Sequence, residues 1–247
     1  MQTDATTTCR DLYALTTWYE QPFGRIIKKQ IAEKLTGILR TVPARELLHL
    51  GIGGFEETLA GRHRERVLFF TDIAYEHLLA EDENTLPLKS ESQDCVVVLH
   101  GLDVAINPHG VLREVNRIMA KDGHLIIIGF NALSFWGGYR PLRNLWRWRK
   151  SLPWRLNFYT PGRLRDWLAL LGYDVGLSQT FNYLPVIQNT NFQKRMQVLN
   201  SAGSLLLPWC GNLYVVVARK STIPLTPVRL QWKQRRPVIT SGVAEPV

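Results

Sequence analysis

One stretch constrains the fold more than any other: DCVVVL at 94–99, then NPHGVLREVNRIMAKDG at 107–123, then HLIIIGF at 124–130. Asn107 can cap a helix with its side-chain oxygen, and Pro108 suits the first helical position, where its missing N–H costs nothing. Val111, Leu112, Val115, Ile118 and Met119 then recur at spacings of three and four, which is one apolar stripe, and Gly123 lies beyond the helix end. Apolar, β-rich runs on either side make a strand–helix–strand unit, and such a unit demands a parallel pair.

The rest of the chain repeats that alternation. Residues 16–41 place Phe23, Ile26, Ile27, Ile31, Leu35, Ile38 and Leu39 at helical spacing, which predicts one amphipathic helix with Lys28, Lys29, Glu33 and Lys34 in solvent. Leu47–Leu50 before Gly51 and Val67–Phe70 before Asp72 read as buried strands, with room between them for a short helix from Phe55 to Gly61. Thr160 and Pro161 open another helix, with Leu164, Trp167, Leu168 and Leu171 as its buried stripe and Gly172 as its stop. Strands are predicted at Tyr173–Thr180 and Leu213–Ala218. The fold class is therefore α/β, a Rossmann-like open and mostly parallel sheet with helices on both faces. Residues 1–41 form an N-terminal helical extension and 42–220 the main domain, with 135–165 as a basic aromatic lid or insertion. Residues 221–247 form a basic, Pro-rich tail.

The chain carries +9 net charge, and eight basic residues with no acid lie between Tyr139 and Arg165, so the remainder is close to neutral. Any electrostatic partner belongs at that segment. It interleaves its cations with Trp136, Tyr139, Trp146, Trp148, Trp154 and Phe158, and Trp136, Tyr139, Arg143, Trp146, Arg147 and Arg149 are the candidate substrate- or partner-contacting residues. Such a mixture suits RNA, whose bases stack on aromatic rings, or an anionic membrane surface, where indoles sit at headgroup level. The alternative is a lid whose tryptophans pack on the core. Three widely spaced cysteines exclude a disulfide framework and a CxxC zinc site, and no histidine pair has metal-ligand spacing, so no metal is expected. Those cysteines, a first segment unlike a signal peptide, and the lack of a long apolar run favour a cytoplasmic protein, peripheral at most to the inner face of the membrane.

In parallel sheets ligands bind outside the carboxyl ends of the strands, which puts the Gly51–Gly54 turn, Asp72 and the Leu99–Asp103 turn on one rim. Gly51 and Gly53 permit a sharp turn close to a ligand, and Asp72, twenty-one positions after Gly51, suits both hydroxyls of a ribose. Glu56 and Glu57 follow where a dinucleotide's pyrophosphate would need a helix terminus free of acids. A nucleoside without phosphate, such as S-adenosyl-L-methionine (SAM), is the better match, and an NAD-dependent dehydrogenase is disfavoured.

LLHLGIGG at 47–54, Thr71-Asp72, EDENTLPL at 81–88 and the 93–130 stretch, taken together, resemble the class I SAM-dependent methyltransferases of the type-11 (UbiE-like) group. GFNALSFWGGYRPLRNLW, FYTPGRLRDWLALLGYDV and NLYVVVARKSTIPLTP are similar to its YafS-like branch, and the likeness spans about residues 42–230. The resemblance implies SAM as cofactor and a seven-stranded sheet whose last strand, Leu213–Ala218, is antiparallel. It also implies a set of cofactor contacts: His49, Gly51 and Gly53 at the methionine end, Asp72 on the ribose, Asp82 and Leu86 around the adenine, and Leu99 and His100 lining from the next strand. Three departures stand out. His49 replaces the acid that helps hold the methionine ammonium, Phe55 replaces the last glycine, and nine residues between Asp72 and Asp82 are short for the usual helix and strand. The expected activity is methyl transfer from SAM to a small or lipid-like acceptor, with His100 as candidate general base. The alternative is a catalytically weakened SAM-fold protein that binds RNA or an anionic membrane through its basic aromatic segment.

Overall fold

The computed structural model describes residues 2–59, 66–70, 86–139, 153, 155–184 and 207–221, with the backbone alone for 2–9 and 66–70. In chain order the elements are α1 (Gln2–Tyr19), α2 (Pro22–Leu39), β1 (Glu46–Gly51), α3 (Glu56–Leu59), β2 (Arg66–Phe70), β3 (Gln93–Leu99) and α4 (Gly101–Val104). After these come α5 (Pro108–Ile118), β4 (Met119–Phe130), α6 (Pro161–Leu170), β5 (Tyr173–Phe181) and β6 (Leu213–Lys220).

The strands form one sheet in the order β2-β1-β3-β4-β6-β5. β2, β1, β3 and β4 are mutually parallel, and β6 runs antiparallel between β4 and β5. The mixed, mostly parallel sheet and the antiparallel last strand match the sequence-based expectation. The strand count is six among the described residues, and the shortened crossover expected between Asp72 and Asp82 lies outside them. So do the 221–247 tail beyond Ser221 and the expected helix stop at Gly61. Leu47, Leu48, Leu50, Val96–Val98 and Leu125–Ile128 are at most 1% exposed, as central strands covered on both faces require.

Two helix boundaries differ from the expectation. The helix predicted over 16–41 is two helices, because Pro22 opens α2 at its first turn and Glu20–Gln21 make the corner. The part of α1 before residue 16 was not anticipated, although Leu12, Leu15, Trp18 and Tyr19 fall on one face and all four are buried. α5 is capped as expected, with Asn107 Oδ1 accepting from Gly110 N at 3.0 Å, but it ends at Ile118. Met119 already pairs with Gln93, and Asp122, next to Gly123, takes a left-handed turn (φ 62°). Asp tolerates that region because its short side chain adds little steric cost. α6 is capped by Thr160, whose Oγ1 accepts from Arg163 N, and stops before Gly172 (φ 81°).

The N-terminal helices are part of the main core. Phe23, Ile27, Ile31, Leu35 and Leu39 of α2 share one apolar cluster with α1 and the sheet. Gly24 lets the helices meet, since a Cβ there would lie 2.2 Å from the Trp18 carbonyl oxygen and 2.6 Å from Tyr19 Cα. That corner delivers Tyr19 to the rim of the sheet.

Candidate active site

β1 and β3 end side by side. Leu99 O accepts Ile52 N at 3.2 Å, and a Cβ on Gly51 (φ 121°) would lie 2.0 Å from that same oxygen. Only glycine can occupy position 51. The turn continues through half-buried Gly53 to exposed Gly54 (φ 86°), whose N–H donates to Glu56 Oε1 at 2.8 Å. Glu56, expected to do no more than discourage phosphate, therefore folds back over the turn. It also acts electrostatically on His49, whose burial holds its pKa down at about 4 against the opposing pull of that carboxylate. His49 is thus a neutral imidazole at neutral pH.

Phe55, in place of the last glycine, is 1% exposed. Its ring meets Tyr19 edge-on at 6.4 Å, and Lys28, ion-paired to Glu20 at 2.5 Å, holds its ammonium 5.8 Å from the Phe55 centroid. The ring is held against the α1–α2 corner, which makes the phenylalanine part of the wall between the glycine turn and the N-terminal helices.

Beyond Leu99 the chain turns sharply at His100, a non-glycine residue in the left-handed region (φ 56°), a strain typical of functional turns. Its side chain is fully buried and bonded at both nitrogens: Nδ1 to Asp103 Oδ2 at 2.7 Å, and Nε2 to the Tyr19 hydroxyl at 2.6 Å. Asp103 Oδ2 also accepts Phe130 N at 3.0 Å. With Asp103 as carboxylate, Nδ1 carries the hydrogen and Nε2 accepts from Tyr19. Burial raises the Asp103 pKa, while the bonds from His100 and Phe130 N oppose that rise. Burial, and after it the field of Asp103, pushes the Tyr19 phenol well above its ordinary value. Gly129 makes room for the far side of the carboxylate, because a Cβ there would lie 2.5 Å from Tyr214 Oη and 2.9 Å from Asp103 Oδ1. Phe130 stacks on Phe158 and lies 4.3 Å from the His100 ring.

Of the residues singled out from sequence, His49, Gly51, Gly53, Leu99 and His100 are brought together on this rim. Leu86, 4% exposed, is pinned by groups that sequence reasoning did not select: its N–H donates to Glu114 Oε1 at 2.8 Å, and its carbonyl accepts from Arg117 Nη2 at 3.1 Å. Asp72, Asp82, Arg143, Trp146, Arg147 and Arg149 lie outside the described residues. Trp136 is not a surface residue. It is 2% exposed, its indole N–H donates to Leu184 O at 3.0 Å, and it packs on Trp18, Phe23 and Phe130. Tyr139 is 51% exposed. Tyr19 and the role of Asp103 were missed; the signal for Asp103 was its three-residue spacing from His100 at a strand end, whereas Tyr19 had none. Among the described residues no cluster of side chains could hold a metal ion.

The methyltransferase-domain family matches residues 57–127, beginning just past the glycine turn. The uncharacterized protein YafS of Escherichia coli (strain K12) is 30% identical over 229 residues, which cover 92% of this chain and 89% of that protein. The chain belongs to the YafS-like branch of the type-11 methyltransferase family. Among solved structures, a SAM-dependent methyltransferase from Thermotoga maritima superposes with a TM-score of 0.54 at 16% identity, covering 85% of this chain and 100% of that one. One from Archaeoglobus fulgidus gives 0.51 at 17%, covering 78% and 94%. At such identities the likeness is one of fold.

SAM is the cofactor this family implies, and the donor chemistry of the rim fits its methionine end. A neutral His49 puts no positive charge beneath the glycine turn, where an imidazolium would repel an ammonium, and Glu56 supplies a carboxylate on that turn. Leu99 and Leu86 offer apolar walls. Among the described residues no helix is long and apolar enough to cross a membrane.

Proposed function

We propose that this protein transfers the methyl group of SAM to a small or lipid-like acceptor whose methylated atom first bears a proton. The observation that carries this reading is the buried Tyr19–His100–Asp103 chain at the carboxyl end of β3, beside the glycine turn. When bound, SAM supplies an electrophilic methyl on a sulfonium.

The chain's own residues would handle the acceptor's proton. Tyr19 is buried in the closed site, so an acceptor hydroxyl or amine gains its Oη only when the wall around it opens; the acceptor's proton then passes to that oxygen as the phenol proton moves to His100 Nε2, and the phenol is never left as a bare anion. Asp103 is a positioning residue: it fixes the tautomer that leaves Nε2 free of hydrogen and stabilises the imidazolium that forms. The low-polarity wall of Phe130, Phe158 and Trp136 excludes water from the imidazole. Phe55 favours a second reading, a SAM-fold protein without methyl transfer, because a buried ring replaces a glycine at the turn.

Calorimetric titration of the purified protein with SAM and with S-adenosylhomocysteine tests the first reading. Micromolar binding that is weakened by His49→Arg, which puts a permanent cation beneath the glycine turn, in a variant whose melting curve shows that it folds, supports it. A folded protein that binds neither ligand leaves the second.

A further inference from the structure

Five of the eight large apolar side chains exposed among the described residues lie on two adjoining segments. Leu133 (61%), Phe135 (65%) and Tyr139 (51%) follow β4, while Leu207 (49%) and Trp209 (74%) precede β6. Asn131 clamps the two segments together: its Nδ2 donates to Trp209 O at 2.7 Å and to Gly211 O at 2.8 Å, and its backbone N–H donates to Asn212 O. Its Oδ1 then accepts Leu133 N, which begins the turn leading to a short helix over 135–139. On that helix Phe135 and Tyr139 are one turn apart and share a face. Ordinary surfaces scatter such residues singly, and clusters of them mark contact sites.

The cluster sits at the carboxyl end of β4, on the same side of the sheet as Gly51 and His100. The next residue after Tyr139 is Arg140, the first of eight cations in a stretch with no acid. We infer that this rim docks on an anionic lipid bilayer, with Phe135, Tyr139 and Trp209 at headgroup level and Leu133 and Leu207 reaching the first acyl carbons. Aromatic rings at the interface with adjacent cations are the composition that interfacial binding uses, and each cation near an anionic surface adds attraction that salt screens. The aliphatic members decide against nucleic acid, because leucine offers a base no ring to stack on. The surface is independent of methyl transfer, although it would turn the proposed active-site rim toward the lipid.

The test is cosedimentation of the whole chain with vesicles of phosphatidylcholine alone, with vesicles containing phosphatidylglycerol, and with poly(U) as competitor. Binding to the anionic vesicles alone is expected, with a blue shift in tryptophan emission that Trp209→Phe reduces. Phe135→Ser with Trp209→Ser should lower the partition coefficient on the order of tenfold, and Arg143→Gln with Arg147→Gln and Arg149→Gln should make the remainder less sensitive to salt, since five cations of the stretch are left. Phe135 and Trp209 are exposed, so their substitution leaves thermal stability unchanged, and a melting curve of the arginine variant separates lost affinity from lost folding. No partitioning at low salt, partitioning unchanged in the Phe135 and Trp209 variant, or poly(U) binding that depends on those two residues would each overturn the inference.

Discussion

Replacing Tyr19 by Phe removes one hydroxyl and leaves the ring that packs on Trp18 and Phe55 in place. That hydroxyl is the donor to His100 Nε2 at 2.6 Å, and the two side chains are 1% and 0% exposed, so water cannot take its place. A buried acceptor left unmet costs about 1–3 kcal/mol, reduced somewhat because phenylalanine is easier to bury than tyrosine; about 2 kcal/mol is expected. In a chain of this size that lowers the melting temperature by roughly 4–8 °C. Urea unfolding followed by tryptophan fluorescence should show an earlier midpoint with an unchanged slope. The stronger check is a double-mutant cycle with Asp103→Asn. An asparagine no longer dictates which imidazole nitrogen carries the hydrogen, so the hydroxyl should be worth less in that background, with a coupling of about 1 kcal/mol. A Tyr19→Phe cost below about 0.5 kcal/mol, or additivity with Asp103→Asn, would refute a continuous chain from hydroxyl to carboxylate.

Three other outcomes follow from the same geometry. His49 binds a proton near its ordinary 6.5 when unfolded but near 4 when folded, so the unfolded state takes up more protons below 6.5. Stability should therefore fall by about 3 kcal/mol from pH 6.5 to 4 on this account and be unaffected by this group above 6.5; a difference from His49→Leu that does not vary with pH would contradict it. Gly24→Ala drives a Cβ into the Trp18 backbone and should cost about 3 kcal/mol. In that background Tyr19→Phe should cost little more, because the corner has already moved. Glu114→Ala strips Leu86 N–H of its acceptor and Arg117 of its carboxylate partner. Amide exchange should rise at Leu86 and Leu88 while α6 keeps its protection, and uniform acceleration would mean general unfolding instead.

The proton chain was only partly legible in the sequence. His100 could be placed on the rim because it follows a strongly β-patterned run, and a residue ending a parallel strand has one place to go. Asp103 lay in view at a spacing of three but carried no sign that its carboxylate points inward. Tyr19 was hidden twice, because the helix predicted over 16–41 ran straight through it without the corner at Glu20–Gln21 and because it contacts His100 across 81 residues of chain. Trp136 was left with two readings for a related reason. Beside a basic segment it suited either a partner surface or a core-packed lid, and its burial depends on Trp18 and Phe23 of the distant N-terminal helices as well as on nearby Phe130.

Local rules wrote the alternation of strands and helices and the caps at Asn107 and Thr160. Each follows from backbone sterics and a few neighbouring side chains, so the amino-acid order alone determines it. Tertiary structure decided which buried groups meet: that Glu56 folds back toward a neutral histidine, that Tyr19 reaches His100, and that Leu133 and Trp209 surface together. Such contacts depend on how helices and loops far apart in the chain are brought onto one rim, and a distance of 2.6 Å between two side chains has no local signature.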